Sequence, residues 1–102
     1  MNIAKMMKQA QKMQADMARM QEELALKTFE ASAGGGAVKA TATGDGELKS
    51  LILSPDLLKD GDVEMLQDLI VTAVREASSK AKQEAQGQMS RLTSGLGLPG
   101  LG

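Results

Sequence analysis

The chain has no cysteine, histidine, tryptophan or tyrosine, and Phe29 is its single aromatic residue. Without cysteine there is no disulfide scaffold, no thiolate zinc site and no thiol nucleophile. Without histidine the commonest general base and the commonest transition-metal ligand are missing, so a histidine-based hydrolytic triad is impossible. One ring offers almost nothing for unpaired bases to stack on, which disfavours recognition of single strands and loops. No stretch approaches about 18 consecutive apolar residues and no signal-peptide hydrophobic region is present, so the expected location is cytoplasmic and away from membranes. The neighbouring carboxylates Glu22 and Glu23, and Asp60 and Asp62, have neither an EF-hand loop nor a partner base. The expectation is therefore a protein that is not an enzyme, with no cofactor, no metal and no small-molecule substrate.

Large apolar side chains are also scarce. Hydrophobic residues make up 42% of the 102 positions, but alanine and methionine dominate that share. A chain of this length buries only about 60 to 65% of its unfolded surface on folding alone. So thin a core offsets conformational entropy poorly, and a second copy is the expected means of completing it.

Charge is divided unevenly beneath a net of −1. Residues 1–20 carry four basic residues against one acidic, a net of +3, whereas residues 21–74 carry four against ten, a net of −6. Residues 75–102 return to +2. An acidic middle thus lies between two basic ends.

The present features begin with a helix. Ile3, Met6, Ala10, Met13, Met17, Met20 and Leu24 recur at alternating spacings of three and four, an a/d seam without glycine or proline. It predicts a helix of about 24 residues, roughly 36 Å long. With Ile3 at a, Lys5, Lys12 and Arg19 fall at c and Lys8 at f, away from the seam. The regular spacing favours a packing seam over an adaptable peptide-binding groove. Lys5, Lys8 and Lys12 have no acidic residue three or four positions away except Asp16 beside Lys12. Unpaired cations with no stacking partner point to a duplex backbone.

Period two follows. Phe29, Ala31 and Ala33 alternate with polar residues, as do Val38, Ala40 and Ala42, and a third run reads ELKSLILS. Gly34-Gly35-Gly36 and Gly44-Asp45-Gly46 separate these runs, predicting an antiparallel meander. The triple glycine feeds no helix and no lysine stands at the fixed spacing, so it is a hairpin connection and not a phosphate loop. Ser54 with Pro55 predicts a brief helical turn ending near Gly61. Val63, Leu66, Leu69, Ile70, Ala73, Val74, Ala77, Ala81 and Ala85 predict a second long helix, capped by Asp60 or Asp62. Its stripe tapers to alanine, so the half past Ala77 is expected to project toward solvent or a small-residue contact. Residues 1–92 are read as the domain and 93–102 as a flexible Gly/Leu tail.

Taken in order, MMKQAQKMQ, MQEEL, GGGAVKATATGDGEL, LSPDLLKDGDVEMLQDLIVTAVREA and SGLGLPG resemble the YbaB/EbfC family of bacterial nucleoid-associated DNA-binding proteins over nearly the whole chain. The resemblance implies an α+β fold of order α-β-β-β-α, with a long N-terminal helix, a three-stranded antiparallel sheet and a long C-terminal helix. It also implies an intertwined, tweezer-like homodimer that binds double-stranded DNA at the nucleoid and affects nucleoid organisation and gene expression. Gln67 departs from the acidic residue common there, a change of local charge away from the basic ends. The expected phosphate contacts are Lys5, Lys8, Lys12, Lys80, Lys82 and Arg91, with Arg19 ranked lower beside the acidic middle. The expected dimer or core seam is Ile3, Met6, Met13, Met17, Met20 and Leu24. The competing expectation is a protein-interaction adaptor that uses its methionine-bearing helices, with the cations only keeping it soluble.

Overall fold

Helix α1, Ile3–Leu26, opens the protein in the computed structural model, which describes residues 2–59 and 61–94. Asn2 caps it by accepting a hydrogen bond from the Lys5 backbone N–H at 3.2 Å. Alanine, glutamine, lysine, methionine and glutamate carry the helix forward by propensity. It ends at Lys27, whose backbone turns extended while its N–H donates to the carbonyls of Glu23 and Leu24.

Strands β1 (Thr28–Ala33), β2 (Val38–Thr43) and β3 (Leu48–Leu53) form one antiparallel sheet in the order β1-β2-β3. The meander matches the expected one, with Ala31 opposite Ala40 and Ala40 opposite Leu51. The first turn runs through Gly34, Gly35 and Gly36 at φ of 64°, 67° and 94°, three successive left-handed positions that side chains with a Cβ resist. In the second turn Thr43 accepts the Glu47 N–H at 3.1 Å and donates to the Asp45 carboxylate. Register shifts between Thr41 and Ala42, just before this turn.

After the short helix α2 (Pro55–Lys59), helix α3 runs from Val63 to Ser94. Asp62 is its cap, accepting the Met65 N–H at 3.0 Å; Asp60, the other candidate, lies outside the described residues. Because α3 extends through Thr93 and Ser94, the first two residues of the expected tail are helical, and the remainder lies outside the described residues.

Helix α3 lies across one face of β1 and β2. Ala31, Val38, Ala40 and Ala42 from the strands meet Ala73 and Ala77 from the helix, with Leu69, Ile70, Val74, Leu53 and Leu57 around them. Ala77 is buried and so is Ala81 beyond it, so of the two outcomes expected past Ala77 this position shows a packed contact and not projection into solvent. Small side chains on both surfaces let helix and sheet approach closely. β3 extends beyond this cover, leaving Leu48, Leu51 and Ile52 exposed and its outer edge unpaired among the described residues.

Candidate functional site

Along α1 the methionine seam is covered by degrees. Leu24 is buried at 4% exposure, Met20, Met17 and Met13 are half-buried, and Met6 and Ile3 stand open at 51% and 70%. Every described residue from Asn2 to Lys12 is exposed. The seam thus packs inside this chain only at its C-terminal end, where Met20 and Leu24 face Ala81, Ala85 and Met89 of α3 across a hollow of about 520 Å³. Gly44 seats the end of α1 by donating its N–H to the Leu24 carbonyl at 2.9 Å and the Lys27 carbonyl at 3.1 Å. A Cβ on Gly44 would overlap the Leu24 carbonyl.

Lys5, Lys8 and Lys12 lie on the uncovered part of α1 and join no ion pair among the described residues. From Lys5 to Lys12 is seven residues, roughly 10 Å of helix. Asp16, the carboxylate expected beside Lys12, instead holds Arg19 at 3.0 Å.

The basic residues of α3 are differently placed. Lys82 is exposed on the rim of the hollow beside Met20 and Gln21. Lys80 is exposed, yet its ammonium donates to the Glu30 carbonyl of β1 at 2.8 Å. The Arg91 guanidinium lies 3.9 Å from the Glu84 carboxylate, and Lys27 reaches the same carboxylate at 3.1 Å. Glu84 also accepts from the Gln88 side-chain amide at 2.9 Å. The Gln88 hydrogen bond, and then Lys27, hold the Glu84 carboxyl below its usual range.

The fold therefore groups Lys82 and Arg91 near the covered end of α1 and leaves Lys5 and Lys8 away from them. From Lys8 to Met20 is twelve residues, roughly 18 Å along the helix. Lys27 joins the α3 group although sequence reasoning passed it over. It is 57 positions from Glu84, and nothing in its local spacing announces the contact. Among the described residues no cluster of three or more carboxylates is placed to hold a metal ion, and no helix is long and apolar enough to cross a membrane.

A family model described as the YbaB/EbfC DNA-binding family matches residues 1–96. A nucleoid-associated protein of Pelotomaculum thermopropionicum is 54% identical over 100 residues, spanning 98% of this chain and 95% of that protein. One of Acetivibrio thermocellus is 54% identical over 101 residues, spanning 98% and 89%. In three dimensions the chain is similar to an uncharacterized protein from Helicobacter pylori, with a TM-score of 0.84 across 91% of this chain and 98% of that one. At 19% identity that likeness speaks to the fold alone.

Proposed function

Because this chain belongs to the YbaB/EbfC DNA-binding family, we propose that it binds double-stranded DNA as a homodimer, mainly through backbone phosphates and with low to modest sequence selectivity. Nucleoid association and an effect on nucleoid organisation and gene expression follow from the same reading. The observation that carries it is the state of Lys5, Lys8 and Lys12: three solvated cations on one stripe of an uncovered helix, unclaimed by any carboxylate among the described residues. Such cations exchange condensed counterions for phosphate at little cost. Lys82 and Arg91 supply a second group of contacts. Lys80 ranks below them because its ammonium already serves the Glu30 carbonyl.

The homodimer is supported by what one copy leaves uncovered. Ile3 and Met6 on α1, and Leu48, Leu51 and Ile52 on β3, are apolar and exposed, and the outer edge of β3 is unpaired among the described residues. A monomer with an alanine core has little stability with which to tolerate that exposure. A pair of chains also doubles the basic arms while the bodies remain acidic.

Duplex retention measured against salt tests the reading. Neutralising about five phosphates gives a slope of log affinity against log salt of roughly −4 to −5. Replacing Lys5, Lys8 and Lys12 together by Glu abolishes retention while sedimentation still finds the dimer. A flat salt response, or full retention by the triple variant, contradicts phosphate binding by this stripe and favours a protein partner for the methionine-bearing helices. Competition between random and native duplexes reads the selectivity.

A further inference from the structure

Lys27 from the end of α1 and two residues of α3 meet on a single oxygen atom of Glu84. Oε1 of Glu84 receives Lys27 Nζ at 3.1 Å and Gln88 Nε2 at 2.9 Å, with Arg91 Nη2 at 3.9 Å. Two cations and an amide donor therefore converge where one anionic oxygen sits. The side chains of Lys27, Arg91 and Glu84 are 49%, 71% and 31% exposed, so the convergence opens to solvent. A buried structural ion pair would satisfy its donors in the interior. Here the arginine approaches without reaching hydrogen-bond distance and keeps most of its five donors unspent.

We propose that this convergence is a seat for a DNA backbone phosphate, with the Glu84 carboxylate holding the place of the phosphate oxygen until duplex arrives. The proposal rests on the duplex-binding reading and adds Lys27 to its contacts. A phosphate offers more anionic oxygens than a carboxylate and suits the planar guanidinium fork of Arg91. On binding, Glu84 swings out and its three donors turn to the phosphate. The seat lies fifteen residues along from Lys12, roughly 22 Å by helix rise. A duplex lying along α1 meets the free lysines at one end and the seat at the other. Glu84 thereby limits affinity, because each binding event must break its contacts.

Fluorescence anisotropy of a labelled random duplex across a salt series tests this, with full-length wild type, Glu84→Gln and Glu23→Gln. Glu23 lines a second, separate pocket with Met20, Gln88, Arg91 and Leu92, but pairs with no cation among the described residues. Its substitution makes the same charge change without freeing the seat. Glu84→Gln is expected to bind about fivefold to tenfold tighter and to steepen the salt slope by about 1 for each arm that engages the duplex, one further phosphate apiece. Glu84→Ala shifts both quantities in the same direction. Glu23→Gln changes affinity less than about twofold, with its slope unaltered. In a Lys27→Ala, Arg91→Ala background the Glu84→Gln gain disappears. The proposal is overturned if Glu84→Gln binds no better than wild type or no better than Glu23→Gln, or if its gain survives without Lys27 and Arg91. Wild-type protein that retains no duplex even at low salt overturns the functional reading itself, a distinguishable result.

Discussion

The first half of α1 and its last turns belong to one unbroken helix, yet their cations stand in opposite states. Lys5, Lys8 and Lys12 face water with no acidic partner among the described residues, while Arg19 is bound to Asp16 and Lys27 to Glu84. The sequence already separates these halves in part, because residues 1–15 hold no carboxylate while Asp16, Glu22 and Glu23 lie in the later turns. The fold adds a second difference, since α3 brings the Glu84 carboxylate to Lys27, while Arg19 is held within α1 by Asp16. For Lys27 the availability of charge is thus a tertiary property, and it decides whether that lysine is open to a phosphate.

The largest effect expected is at the joint between the two halves. Gly44→Ala drives a methyl group into the Leu24 carbonyl and parts the end of α1 from the sheet. A loss of about 2 kcal/mol or more is expected, seen as a fall in Tm by calorimetry. If Gly44→Ala melts with the wild type, the joint is softer than its contacts imply.

A smaller and sharper contrast pits Lys8 against Lys80. Lys8→Ala should reduce the magnitude of the salt slope by about 0.9 for each arm of the dimer in contact with the duplex, and leave Tm nearly unchanged. Lys80→Ala should leave the slope alone and lower stability by about 1 kcal/mol or less, through the lost hydrogen bond to Glu30. Equal slope changes would return Lys80 to the phosphate contacts.

The smallest effect expected is on acid stability. Glu84 is held below its ordinary value near 4.5, so its contacts contribute stability that is full above that pH and fades as pH falls through the lowered folded value. Glu84→Gln removes that slope. Tm of the wild type should therefore fall faster than that of the variant between about pH 5 and about pH 3, by a small margin because the site is open to water. Parallel curves would mean that the carboxylate is not gripped.

Much of this architecture was legible locally. The alternating threes and fours from Ile3 to Leu24 matched α1, period two matched β1 and β2, and Gly34-Gly35-Gly36 marked their hairpin, because each pattern is written within a few residues. Asp62 was legible as a cap for the same reason. The stripe of Lys5, Lys8 and Lys12 was equally readable, as helical geometry alone puts these residues together. The arrival of Lys27 at Glu84 was not, nor was the use of Lys80 by Glu30, because these two contacts join positions 57 and 50 apart. The choice of Arg19 over Lys12 by Asp16 also escaped, since both spacings fit a helix and side-chain direction decides between them. The taper to alanine past Ala77 left two outcomes open, solvent or a small-residue contact, and the burial of Ala81 fits the second. Against a sheet face also lined with alanine, the smallness of a methyl group is what permits contact.

The alanine-lined interior has a consequence for how the molecule melts. An alanine side chain has no rotamers to surrender, so ordering this interior costs little beyond the backbone itself. Each methyl group also withdraws little apolar area from water, which keeps the heat capacity change of unfolding small. The stability curve of such a protein is correspondingly flat, with gentle losses toward both cold and heat.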